Sequence, residues 1–206
     1  MGRLRSSQNE EGEVVKLNKL NYALCVFAVG TICQAQSATN QNAIDQLQPL
    51  VEASARRLAI ADQVALAKAD SGAAVEDTAR ESVVIANAAK AAEAKGLDKD
   101  AVEQFFRAQI EANKIVQYSL LDDWRRSGQV PAHEKVDLAK TIRPELDKLQ
   151  AELIVGLADT AAIRAASSCR IDMAKAAGKY LTAHPGDELH KIALDRALAG
   201  ACTPSK

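Results

Sequence analysis

Arg57 and Lys68 lie eleven residues apart in a stretch of helical periodicity. Eleven residues make three α-helical turns to within about 20°, so both cations leave one face of a helix. Asp77, Arg80 and Glu81 follow at i, i+3 and i+4, again one face, near a helix start. Asn113 and Gln117 are spaced i, i+4 among apolar Ile110, Ile115, Val116 and Leu120, which brings this amide pair close to a core. Guanidinium groups take carboxylates with two parallel hydrogen bonds, and an ammonium or amide places fixed positive potential on an oxygen. None of these side chains is an obvious nucleophile. His133, His184 and His190 stand isolated in or beside loops, no Ser-His-Asp spacing occurs, and no histidine lies at metal-ligand spacing from a cysteine. Each group also has a plainer reading: a solvated cationic face, an intrahelical ion pair, and exposed amides. Spacing alone supports a helical domain and no function.

The elements that must position these residues are all helices. Apolar residues recur at helical spacing from Ala43 to about Lys68, after a short polar lead-in, Ser37 to Asn42. Ala69-Asp70-Ser71-Gly72 breaks the pattern, and a second helix runs from about Asp77 to Lys95. Gly96 ends it, and Asp98 caps a third helix from Lys99 to about Arg126. Ser127 to His133, with Gly128 and Pro131, is a loop. A fourth stretch covers Val136 to about Arg164, with Pro144 starting or kinking its main part. Ser167-Ser168 precedes a helix from Cys169 to about Thr182, and after the turn His184 to Asp187 a last helix runs from Glu188 to Ala201. No strand signal and no repeat is found. The expected fold is an all-α, single-domain bundle of about six helices.

Bulk composition agrees. Hydrophobic residues make up 48% and aromatics only 3%, with alanine supplying much of the apolar count, which favours close-packed helices over a sheet. Lys and Arg number 26 against 27 Asp and Glu, so no basic surplus exists to bind nucleic acid or an anionic membrane. Lys16 and Lys19 precede an apolar run from Tyr22 to Ile32, and Cys33-Gln34-Ala35 supplies a small-residue exit. That order is a secretory signal, and the run is short of the roughly 20 apolar residues of a membrane span. Residues 1–35 are therefore expected to be a signal peptide cleaved after Ala35, with Ala38 as the alternative, leaving residues 36–206 as one periplasmic or secreted domain without membrane association. Export leaves Cys169 and Cys202 as the only cysteine pair, which most simply forms one disulfide, the alternative being two buried free thiols.

Taken in order, Arg57, Lys68, Asp77, Arg80, Glu81, Asn113 and Gln117 resemble the all-helical chorismate mutases, whose matching spacings carry an Arg, a Lys, an Asp-x-x-Arg-Glu group and a Ser/Thr/Asn-x-x-x-Gln/Glu pair. Longer runs are similar to the secreted branch: Arg57 to Val64, Val75 to Asp77, Phe106 to Lys114, Gln117 to Ser119, Trp124, and Ile142 to Asp147. The Cys169/Cys202 pair matches that branch's disulfide. The resemblance covers nearly all of residues 36–206 and implies a pericyclic, Claisen-type rearrangement of chorismate to prephenate. That reaction transfers no proton and forms no covalent intermediate, so it needs no cofactor and no metal. The substrate brings two carboxylates, and negative charge grows on its ether oxygen as the C–O bond breaks.

By resemblance, Arg57 and Arg143 take the carboxylates, and Lys68 and Gln117 the ether oxygen. Asp77, Arg80 and Glu81 position the ring hydroxyl and hold Lys68 or one another, and Asn113 contacts a carboxylate or supports that neighbourhood. Arg143 is expected to act within its own chain, beside a helix start set by Pro144 whose positive dipole end faces an anion. Lys140 and Arg164 stand near it in sequence as rivals for the role. The resemblance further implies a homodimer with each active site inside one chain. The competing reading is an exported helical binding or effector protein that keeps the fold without turnover. Trp124 and Tyr118 read as core or bundle-edge anchors, and Arg125-Arg126 as a pair complementing a helix dipole.

Overall fold

The computed structural model describes residues 20–203, with side chains from residue 41. The signal-segment lysines Lys16 and Lys19 lie outside the described residues, and of the rest of that segment only a helical backbone from Leu20 is described. The packed core and the cleft belong to the unit Asn40–Lys206.

Among the described residues, seven α-helices run in chain order: α1 Leu20–Ser71, α2 Thr78–Glu93, α3 Lys99–Ser127, α4 Arg143–Asp159, α5 Ala161–Ala165, α6 Cys169–Ala183 and α7 Glu188–Leu198. A π-helical turn, Leu138–Ile142, leads into α4. No strand occurs among the described residues. Three expectations are corrected. The polar lead-in Ser37 to Asn42 is helical, and α1 accommodates Pro49. The fourth stretch is divided at Thr160, whose hydroxyl donates back to the Gly156 carbonyl at 2.6 Å and whose φ of −103° leaves the helical range. Its beginning is π-helical because Pro144 has no N–H to offer the Lys140 carbonyl, so the turn before it widens.

Helix ends follow local chemistry. The Asp98 carboxylate accepts from the Ala101 N–H at 2.8 Å and starts α3. Gly128 closes it at φ 70°, a left-handed conformation that a Cβ would strain. Arg125 and Arg126 occupy that last turn, each ion-paired to the aspartate three residues back, Asp122 and Asp123.

α3 is the central helix, packed on α2 and α7. Val102, Phe105, Phe106, Ala112 and Val116 on α3 are buried with Leu47, Leu50, Val51, Leu58 and Ala61 of α1. Ile85, Ala88 and Ala92 of α2, Leu153 and Leu157 of α4, Met173 and Ala176 of α6, and Ala193 and Leu194 of α7 complete the core. The alanines let helix backbones approach closely, which is why so few aromatics suffice. The same closeness shows at Gly200, where an added Cβ would sit 3.0 Å from the Gln104 carbonyl oxygen and from the Phe105 Cα. A polar tie crosses this core: Gln109 Nε2 donates to Ser54 Oγ at 2.9 Å and to the Ala197 carbonyl at 3.2 Å, joining α3, α1 and α7. Trp124 packs at the bundle edge beside Ala65, Val75 and Leu121, whereas Tyr118 is exposed.

Cys169 and Cys202 form a disulfide with a Cα–Cα distance of 5.9 Å, tying the start of α6 to the chain beyond α7. Buried Arg164 reinforces that closure, its Nε donating to the Ala201 carbonyl at 2.7 Å and its Nη1 to the Leu157 carbonyl at 2.8 Å. Two histidines expected to be isolated are paired instead. His190 reaches Asp187 at 2.8 Å and Asp62 at 3.1 Å, fastening α7 to α1. His133 reaches Asp70 at 3.1 Å and fastens the α3–α4 loop to the end of α1. No described helix is long and apolar enough to cross a membrane.

Candidate active site

One cleft of about 810 Å³, measured to its open mouth, lies among α1, α2, α3, the π-helical turn and α4. Arg57, Lys68, Asp77, Arg80, Glu81, Asn113, Gln117 and Arg143 all line it. Neither Lys140 nor Arg164 does, and the two hydrogen bonds just described fix Arg164 elsewhere as a structural staple. Val64, Val75, Val84, Ile110 and Leu146 form the apolar part of the wall.

Arg57 leaves α1 into the cleft and is only 6% exposed. Its Nε meets no protein acceptor, an expensive state for a buried guanidinium nitrogen. Burial pulls its pKa down to about 10, with Asp147 opposing and Arg80 adding to the shift, so it stays charged at neutral pH. Lys68, three turns further on, donates to the Val75 carbonyl at 2.6 Å, which leaves two of its three N–H groups for other partners. Burial lowers the Lys68 pKa; Asp77 and Glu81 oppose that, and Lys114 adds to it.

The Asp-x-x-Arg-Glu group is a helix cap as well as a cluster of charge. Asp77 precedes α2 and accepts from the Arg80 N–H at 3.0 Å, while its own N–H gives to Glu81 Oε1 at 3.4 Å. The expected ion pair inside this group is absent among the described residues. Arg80 instead reaches across to Asp147 on α4 at 3.4 Å. Glu81 meets Lys114 of α3 at 3.4 Å, and Lys114 also holds Glu111 at 2.8 Å.

On α3 both amides are buried, Asn113 at 8% and Gln117 at 4% exposure. Asn113 Nδ2 donates to the Arg57 carbonyl at 3.4 Å, and Gln117 Nε2 donates to Asn113 Oδ1 at 2.6 Å. A backbone carbonyl can only accept, so this chain of bonds has one polarity and fixes which end of each amide faces where. Gln117 Nε2 also reaches the Asn113 backbone carbonyl, at a long 3.4 Å, while Gln117 Oε1 is buried without a partner among the described residues.

Arg143 opens α4, exposed where it lines the cleft. The expectation of a free helix N-terminus at Pro144 is corrected: the helical ladder continues back through the π turn, with the Arg143 N–H on the Leu138 carbonyl. The uncommitted amides lie earlier, at Ala139 and Lys140, and the Asp137 carboxylate takes both, at 2.8 and 3.0 Å. Lys114, Asp147 and Gln150 line the cleft without having been singled out as site residues. A helical reading held the signal for two of them, since Arg143, Asp147 and Gln150 fall at i, i+4 and i+7 on one face. Five cations and three carboxylates around the cleft leave a formal surplus of two positive charges. No His, Cys, Asp or Glu cluster able to hold a metal occurs among the described residues.

The chain was compared with known proteins. Residues 41–118 match the family described as chorismate mutase type II, a span that takes in the seven candidate site residues from Arg57 to Gln117. A secreted chorismate mutase of Mycolicibacterium smegmatis is 31% identical over 156 residues, 76% of this chain and 86% of that one. The crystal structure of a chorismate mutase from Burkholderia phymatum matches with a TM-score of 0.75 at 46% identity, covering 78% of this chain and 98% of the other. One from Burkholderia thailandensis matches with a TM-score of 0.73 at 34% identity, covering 76% and 99%. Likeness of this length and identity reaches beyond shared architecture, and the chain belongs to the chorismate mutase family as an all-helical member with one disulfide.

Proposed function

We propose that the chain rearranges chorismate to prephenate, and that the eight residues named from the sequence carry the reaction. The observation that carries the reading is the buried Arg57 guanidinium, which has no ion pair among the described residues and lines a cleft with a surplus of two positive charges. Chorismate is a dianion, so the surplus matches the ligand. Arg57 and Arg143 take its carboxylates and hold the folded conformer in which the reacting carbons meet, which removes the entropic part of the barrier. Lys68, with N–H groups to spare beyond Val75, and Gln117 Nε2, which exchanges its long 3.4 Å bond to the Asn113 carbonyl for the substrate, supply positive potential at the ether oxygen as its C–O bond breaks. Asp77 and Glu81 hold Lys68 by charge, Arg80 and Glu81 meet the ring hydroxyl, and Asn113 supports Gln117. No group has to exchange a proton with the substrate.

The test follows from that last point. Incubated with the chain in heavy water, chorismate should yield an isomer of unchanged mass with no deuterium on carbon. Carbon-bound deuterium, or ligand binding without isomerisation, would reject the pericyclic reading, and the second outcome would favour a binding protein.

The reading extends to where the chain works. Residues 1–35 act as a signal peptide, with cleavage after Ala35 or Ala38, and residues 36–206 work in the periplasm or outside the cell. The relatives named as secreted and the Cys169–Cys202 disulfide support export. N-terminal sequencing of the exported chain tests the cleavage site. In solution the chain forms a homodimer with each site complete in one chain, supported by all eight residues lining a single chain's cleft and tested by light scattering.

A further inference from the structure

Asp147 is the carboxylate of the cleft that none of the proposed roles uses. Asp77 and Glu81 have other partners, Asp77 capping α2 and Glu81 meeting the Asp77 N–H and Lys114 of α3. Asp147 is the one of the three that pairs with a site arginine, from the second turn of α4 to Arg80 on α2, at 3.4 Å. Its charge also opposes the fall that burial imposes on the Arg57 pKa, and both side chains line the same cleft. Asp147 thus sits where the fields of two site arginines act together, and it holds one of them that the proposed reading gives to the substrate. Its side chain is 64% exposed and Arg80's is 33% exposed, so the pair is solvated and separates at little cost.

We propose that Asp147 sets the affinity of the cleft for its dianionic substrate by competing with the substrate for Arg80. The inference rests on the chorismate mutase reading and names the residue that tunes it. With Asp147 on Arg80 the cleft keeps its surplus of two positive charges; with that carboxylate neutralised the surplus is three. Arg80 is then held ready by charge, yet a ligand oxygen must displace a side chain before using it. Asp147 touches neither the ether oxygen nor the reacting carbons, so the competition acts on binding and leaves the chemical step alone.

The test is steady-state kinetics of Asp147→Asn beside wild type, with chorismate as substrate and prephenate as competing product. A solvated ion pair is worth at most about fivefold, so KM for chorismate should fall about two- to fivefold with kcat unchanged. The inhibition constant of prephenate, also a dicarboxylate, should fall in parallel. Asp147→Glu keeps the charge and should keep the wild-type KM. Circular dichroism checks folding, and Asp147→Ser replaces the Asn variant if that one is unfolded. An unchanged or higher KM, or a lower kcat, would overturn the proposal, the latter making Asp147 a support for Arg80 during turnover. Wild type that fails to convert chorismate overturns the function reading and this inference with it; wild type that turns over beside a variant of unaltered KM overturns the role of Asp147 alone.

Discussion

Replacing Gln117 with glutamate asks the cleft to show whether it works through a fixed donor. The native amide donates from Nε2 to Asn113 Oδ1 at 2.6 Å and only weakly to the Asn113 carbonyl at 3.4 Å, and it stays a donor at every pH. In Gln117→Glu the side chain can donate only when protonated. An ordinary glutamate titrates near about 4.3. Here it would be 4% exposed and would face an acceptor whose polarity is set by the Arg57 carbonyl, two effects that both favour the neutral form. The surplus of cations opposes them, and the net shift should be upward by roughly one to three units. Above the shifted pKa, turnover should fall about tenfold per pH unit until the loss reaches that of deleting an oxygen-directed donor, about a hundred- to a thousandfold. The assay is loss of chorismate ultraviolet absorbance in buffers from acid to weakly alkaline. Wild type should stay nearly flat across neutral pH, because Arg57 keeps its charge and Gln117 has no proton to lose. A Gln117→Glu profile parallel to wild type would refute Gln117 as the donor, and a steep wild-type loss across neutral pH would do the same.

Three further outcomes are expected. Breaking the Cys169–Cys202 bond by Cys169→Ser should lower unfolding free energy by about 3–4 kcal/mol, read from urea midpoints, because the bond closes a sequence separation of 33 residues; an unchanged midpoint would reject that estimate. For His190, burial lowers the pKa but Asp187 and Asp62 outweigh it, so the folded value lies above the unfolded one. Its contribution is therefore complete below about 6.5 and lost as pH rises through the raised folded value, so His190→Asn should destabilise the chain in weak acid and little in weak alkali. Equal destabilisation at both ends would contradict the pairing. Gly200→Ala should cost about 1–3 kcal/mol, since its Cβ would press on the α3 backbone, which cannot give way as a side-chain tip can; a neutral thermal shift would show that the α3–α7 contact yields.

What could be read from the residues was the part encoded at short range. Helical periodicity located α2, α3, α6 and α7 within a few residues, because Asp98, Gly128 and the His184–Asp187 turn announce ends by local chemistry, whereas α1 begins well before the expected Ala43. The division at Thr160 carries no such sign, since it depends on a hydroxyl turning back to Gly156. The widened turn before Pro144 was anticipated only as a start or kink. Within the site, spacing placed residues in three one-sided groups, and only the family resemblance joined them and added Arg143. Asp147 and Lys114 escaped notice because each looks like an ordinary surface charge on its own helix. Their partners sit 67 and 33 residues away, at Arg80 and Glu81, where no local pattern reaches. His133 and His190 looked isolated for the same reason, with Asp70 and Asp62 far off in sequence.

The central claim is that fixed cations and amides, with no base, turn over chorismate in this cleft. Its most direct test is the initial rate of chorismate loss with purified wild type, Arg57→Ala and Lys68→Ala at neutral pH. The account predicts turnover well above the uncatalysed rate for wild type and a drop of about a hundredfold or more in kcat/KM for each variant. No turnover by wild type, or variants that match it, would contradict the account.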